Sequence, residues 1–155
     1  MATTIEAATL TVTLTEQIEL NGQEKGPTNS LTISDVTEVS QRIVNVPASE
    51  VVILAMGTAV AAGQFVESTI RYIRITNKDD TNHVTLVFRS ENSNECAHKL
   101  DYGQSFIYAG DNSGGVVDTH DASASALSVS LDDLVDITAT ADTAACDLEL
   151  FVAGV

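Results

Sequence analysis

Tryptophan is absent from these 155 residues, and Tyr and Phe number only three and four. Sugar-binding and single-strand-binding surfaces are commonly built on stacked aromatic rings, so this composition argues against both platforms. Basic side chains are scarce as well, with Lys and Arg totalling 7 against 22 Asp and Glu, a formal net charge of −15. Affinity for DNA or RNA comes largely from neutralising phosphates with Lys and Arg, so no nucleic-acid partner is expected. Two cysteines, Cys96 and Cys146, are too few for a disulfide framework; their spacing permits one bridge, and two buried free thiols are the plainer reading. The longest uncharged run, 51–66, is 16 residues and contains Gly57, Thr58, Gly63 and Gln64. That is too short and too interrupted to span a bilayer, so no membrane partner is expected. The start, MATTIEAATLTV, has no basic region followed by an apolar one, which reads as synthesis in the cytoplasm without a secretory signal.

What is present is aliphatic. The apolar share is 44%, mostly Val, Leu, Ile and Ala, in a chain of one-domain length. A domain of this size buries about 68–70% of the surface its unfolded chain exposes, so no staple is needed. We therefore expect a single domain over 8–155, with 1–7 as an N-terminal arm.

The apolar residues alternate with polar ones at a period of two. In 8–19, Leu10, Val12 and Leu14 interleave with Thr9, Thr11, Thr13 and Thr15, which reads as a half-buried strand with one threonine face. Asn21-Gly22 supplies a turn and 23–30 a loop. Further strands are expected at 31–34, at 38–46 ending on Pro47, and at 51–56, the last buried on both faces. The 57–67 segment is readable as a helical turn or an irregular crossover. Residues 70–76 and 83–89 form a predicted hairpin around the polar turn 77–82, with Val84, Leu86 and Phe88 inward. Strands at 96–100, 105–108, 126–131, 134–139 and 147–152 complete the series, and Asp111-Asn112-Ser113-Gly114-Gly115 is a loop. Turns at short intervals between alternating strands predict an all-β chain, an antiparallel β-sandwich of jelly-roll type with eight to ten short strands.

Chemistry is harder to find. Cys96 and His98 fall on one side of a strand, His83 lies on the strand before, and Cys146 would have to arrive from the far end. A tetrahedral zinc site needs four such ligands together, and ordinary sheet positions account for the same residues. Carboxylates cluster at Asp79-Asp80, at Asp111, Asp118 and Asp121, and at Asp132, Asp133 and Asp136. None has the spacing of a calcium loop, which leaves a solvated acidic surface as the expectation and a weak shared cation site as its rival. His120 beside Asp121 is the one loop histidine next to a carboxylate, and Ser113-Gly114-Gly115 leads into Val116-Val117 where a phosphate loop would lead into a helix. No catalytic, cofactor or metal residue is assigned, and no enzyme is expected.

One stretch speaks through resemblance. Within 69–108, the run RYIRITNKDDTNHVTLVF from Arg71 to Phe88, followed by KLDYGQSFI from Lys99 to Ile107, resembles small virion structural proteins of tailed phages, particularly those of marine and cyanobacterial hosts. The resemblance implies a decoration or cement protein on the capsid exterior, with the major capsid protein as partner and a homo-oligomer, a trimer among the candidate states. A tail- or fibre-associated component, whether adaptor or receptor-binding tip, is the alternative within virions. A carbohydrate-binding sandwich module shares the architecture but is disfavoured by the missing Trp.

Overall fold

Alternating side chains carry most of the chain into strands. The computed structural model describes residues 4–110 and 131–155. Among these it holds thirteen strands and one 3-10 turn. Ten of the strands have five residues or more, at the upper end of the expected count, and three are two-residue ladders. Of the predicted strand 126–131 only Leu131 is described, and it lies outside any strand; the rest of it, the loop from Asp111 to Gly115, and the carboxylates Asp118 and Asp121 with His120 lie outside the described residues.

Two compact units divide the chain, one through Glu38 together with Val155, the other Val39–Gly154. The sequence offers little warning of that division, because it falls one residue inside the strand Glu38–Val46, which Thr37 alone separates from the strand before it.

The first unit is a β-ribbon. Strand β1 (Ala8–Thr15) pairs antiparallel with β4 (Thr28–Val36), and the two-residue strands β2 (Glu19–Leu20) and β3 (Gln23–Glu24) continue toward the tip. Asn21 and Gly22 both have positive φ, 53° and 75°, as a tight two-residue hairpin turn requires. The register places Leu10 opposite Ile33 and Val12 opposite Leu31, while Thr11 faces Thr32 and Thr13 faces Ser30. One side of the ribbon is thus aliphatic and the other hydroxylic. Gly26 is held against the opposite arm: an added Cβ would sit 1.8 Å from the Glu16 carbonyl oxygen. The predicted first strand stops at Thr15, four residues early, and 23–30 contains β3 and the start of β4 where a loop was expected.

The second unit is a two-sheet sandwich. Its strands are β5 (Glu38–Val46), β6 (Val51–Gly57), β7 (Phe65–Val66), β8 (Ile70–Asn77), β9 (Val84–Ser90), β10 (Glu95–Leu100), β11 (Ser105–Ala109), β12 (Leu134–Ala141) and β13 (Cys146–Gly154). One sheet has the order β11-β8-β13-β5 and the other β10-β9-β12-β6-β7. Pairing is antiparallel apart from the short β6–β7 ladder, which is parallel. Apart from β6–β7 and the β9–β10 hairpin, every connection passes from one sheet to the other. Eight strands wrapped in that way are a jelly roll. The core lies between the sheets, where Ile73 and Ile75 of β8 and Leu148, Leu150 and Val152 of β13 meet Val84, Leu86 and Phe88 of β9 and Ile137 and Ala139 of β12.

The wrapping corrects two expectations. Strands β8 and β9 do not form a hairpin with each other: β8 pairs with β11 and β13, β9 with β10 and β12. Their alternation is the same either way, because both turn an apolar side to one core from opposite sheets. Strand β6 is also not buried on both faces, since Val52 is 56% exposed while Ile53, Leu54 and Met56 are buried. The ambiguous 57–67 segment is an irregular crossover carrying β7 and leading into the 3-10 turn Glu67–Thr69.

Candidate functional site

At one side of the sandwich the edge strands β10 and β11 belong to different sheets, and a cleft of about 200 Å³ opens beside them. Ile73, Phe88, Phe106, Tyr108 and Leu134 make its wall, with Cys96 and His98 also lining it. The Phe88 and Phe106 rings stand 4.8 Å apart between centroids, and the His98 ring lies 5.3 Å from Phe106. Cys96 and His98 share the inner side of β10 because they oppose Phe88 and Leu86 in register. Both are nevertheless exposed, since β10 has a neighbour on one side only. This corrects the reading of Cys96 as a buried thiol, while Cys146 is free and buried as expected.

The four residues weighed as zinc ligands are not brought together. His83 precedes β9 and lies five residues from Phe88, about 17 Å along an extended strand from the residue that Cys96 opposes. Its Nδ1 instead faces Asp142 Oδ2 at 3.6 Å. Cys146 begins β13 in the other sheet and donates to the Ala144 carbonyl at 3.4 Å. Burial first, and then the negative charge of Asp79, push its thiol above the ordinary range, so it stays protonated and weakly nucleophilic. Among the described residues, no group of three or more His, Cys, Asp or Glu is placed to hold a metal ion.

The acidic residues have internal tasks that spacing alone did not reveal. Asp79 Oδ1 accepts from the Thr81 and Asn82 amides at 2.8 and 2.6 Å, which shapes the corner after β8 and holds the carboxyl below its usual value. Asp132, only 7% exposed, reaches under the β9–β10 turn. It accepts from Asn92 Nδ2 at 2.8 Å and Ser90 Oγ at 2.9 Å, and also from Asn94 Nδ2. Ser93 in that turn has φ of 64°, so the side chains on either side of it converge on one carboxylate. The run Ser90–Asn94 reads in sequence as an ordinary polar turn; its partner is 40 residues away and could not be read there.

On the outer faces, single arginines gather carboxylates from neighbouring strands. Arg89 contacts Glu50 Oε1 at 2.5 Å and Glu95 Oε1 at 2.9 Å, with Asp136 Oδ1 at 3.9 Å. Asp136 Oδ1 has no hydrogen-bond donor, and burial outweighs the attraction of Arg89 to raise its pKa. Arg74 pairs with Glu149 at 2.5 Å on the opposite sheet, and Lys78 approaches the same carboxylate at 4.0 Å. Lys99 pairs with Asp101, while Arg42 and Arg71 donate to backbone carbonyls. Six of the seven basic side chains are therefore engaged within the chain, and the surface charge that remains is acidic.

Asp132 gives a pH dependence with a definite sign. Hydrogen bonds from Asn92, Ser90 and Asn94 hold its folded-state pKa below the ordinary 3.8. A depressed carboxyl contributes stability that is in place above that value and is lost as pH falls through the lower folded one. Asp132→Asn should therefore show a shallower fall of unfolding midpoint than wild type as pH drops from about 5 toward 2, read by circular dichroism melts. Parallel curves would remove Asp132 as a contributor.

No protein-family model matches the chain, and no curated protein matches it. Among solved structures, one titled "Bacillus endospore appendages form a novel family of disulfide-linked pili" aligns over 76% of this chain and 84% of its own, at 12% identity and a TM-score of 0.46. A likeness of that size assigns no role to this protein. The chain stands on its own residues as an antiparallel jelly-roll sandwich.

Proposed function

We propose that this protein is a non-enzymatic structural component of a tailed-phage virion, carried as a homo-oligomer on the capsid exterior, where it binds and stabilises the major capsid protein. The observation that carries the reading is the resemblance of Arg71–Phe88 and Lys99–Ile107 to small virion structural proteins. Those residues build nearly all of β8, most of β9 and β11 and the last two residues of β10, and so belong to the half of the sandwich that includes the β10 and β11 edges. The arrangement of polar groups supports a passive role: on the outer faces Arg74 and Arg89 are paired with carboxylates, and Asp79 and Asp132 are held by donors of the turns they shape.

Electron microscopy of intact particles tests this directly. Density for the sandwich on the outside of the shell is the expected result, and density at the tail or fibre would replace it with the adaptor or receptor-binding reading. Salt provides a second measurement. Copies at −15 repel one another, and that repulsion is screened over a Debye length of about 3 Å at 1 M salt against about 8–10 Å at ordinary ionic strength. Occupancy should therefore hold or rise in raised salt, and ready stripping would point to a charge-mediated attachment.

A further inference from the structure

We propose that β1 is a pairing edge for a second copy of this chain, joined antiparallel as β1 to β1 about a two-fold axis at Val12.

The ribbon leaves β1 incomplete. It has β4 on one side, and no other described strand pairs with it. A lone two-stranded ribbon is marginal in water, and three or more strands sharing an apolar face are needed for independent stability. Here the apolar face is uncovered at its centre and end: Leu14 is 52% exposed and Leu31 41%.

Natural sheets protect long edges with charges, prolines or bulges. Among the described edge strands of six or more residues, β4 carries Asp35 in a left-handed conformation at φ 60°, β5 carries Glu38 and Arg42, and β10 carries Glu95 and Lys99. Strand β1, ATLTVTLT, has no charge and no proline over eight residues. It is the unprotected one.

Two arguments select a second copy as the occupant. The first is charge: copies carrying −15 each repel wherever acidic surfaces meet, and β1 is the long edge at which they can approach without opposing like charges. The second is register. A strand paired with its own copy about Val12 places Leu10 opposite Leu14 and Thr11 opposite Thr13, with Thr9 opposite Thr15. Every residue then meets one from its own face, which a one-residue slip would undo. The product is a four-stranded sheet, β4-β1-β1-β4, with one continuous aliphatic face and one continuous hydroxyl face. Strand addition of this kind draws its affinity from main-chain hydrogen bonds and its specificity from the alternating side chains.

The pairing does not depend on the virion reading and is tested on the purified chain. Sedimentation velocity should show concentration-dependent dimers, and Thr11→Glu/Thr13→Glu, which sets carboxylates opposite one another across the axis, should weaken self-association about tenfold or more. Thr11→Lys/Thr13→Lys should weaken it likewise. An equimolar mixture of the two variants should restore dimers, which a folding defect in either would not allow. A wild-type chain that stays monomeric, a glutamate variant that pairs as wild type does, or a mixture that fails to recover would each overturn the proposal. A monomeric chain found on the shell would sink the pairing alone, and a dimer missing from particles would sink the virion reading alone.

Discussion

Leu86→Ala and Phe88→Ala each lower the free energy of unfolding by about 2–5 kcal/mol, measured by chemical denaturation. Leu86 is 0% and Phe88 7% exposed, and with Val84 they form the inner side of β9, which is flanked in its sheet by β10 and β12. Opposite them in register stand Ala139, Ile137 and Ala141 of β12, small or β-branched residues already packed by the second sheet and poorly able to move into a vacancy. Loss of the side chain thus removes transfer energy and leaves a hole. Thr85 lies between them on the outer side and is only partly buried, so Thr85→Ala costs less than about 1 kcal/mol. Equal losses at the two faces would mean that β9 is covered on both sides.

Asn77→Ala should be comparably damaging, although it removes no apolar group. Asn77 is 0% exposed at the corner where the chain leaves one sheet for the other. Its Nδ2 donates to the Asn82 carbonyl at 2.9 Å and the Leu100 carbonyl at 3.2 Å, and its Oδ1 accepts from the Asp79 amide at 3.0 Å. Its backbone adds two bonds to the second corner, from its own amide to the Gln104 carbonyl and to its carbonyl from the Gly103 amide. One side chain therefore ties together the two loops by which β8, β9, β10 and β11 change sheets. A buried donor or acceptor left unpaired costs about 1–3 kcal/mol; the alanine leaves one such acceptor at Leu100 and two part-buried partners at Asn82 and Asp79, so a loss of about 2–3 kcal/mol is expected. Asn77→Asp keeps the shape but aims an acceptor at two carbonyl oxygens, and at neutral pH it should cost no less than alanine does. An aspartate variant as stable as wild type would show that the two carbonyls find other donors.

Strand positions were legible because their signal is local. Glu38–Val46 was bounded by its sequence to the residue, and Ser105–Ala109 and Glu95–Leu100 to within one, since alternation ends where Pro47, Tyr102-Gly103 and Ser93-Asn94 interrupt it. The inner faces of β9 and β13 were equally readable: Leu148 and Leu150 are buried and Phe151 is turned outward, as period two requires. The Asn21-Gly22 turn was readable from the two residue types that best tolerate positive φ in succession.

Contacts between distant residues were not legible. Asp132 looked like one of several acidic loop residues, and only the fold sets it beneath Ser90, Asn92 and Asn94. Glu50 lies at the turn before β6 and reaches Arg89 and Thr138 because β12 runs between β6 and β9. Cys96 read as a buried thiol because a free cysteine behaves as a small hydrophobe, and its exposure follows from the place of β10 at a sheet edge.

The sequence by itself determined that the chain is all β, where its main strands run, and which side of each turns inward, because a period of two is written into consecutive residues. Tertiary structure decided which strands are partners. An apolar side facing a core looks the same whether the next strand lies beside it in the same sheet or across from it in the other, and so β8 and β9 read as a hairpin while the jelly-roll wrapping holds them in opposite sheets.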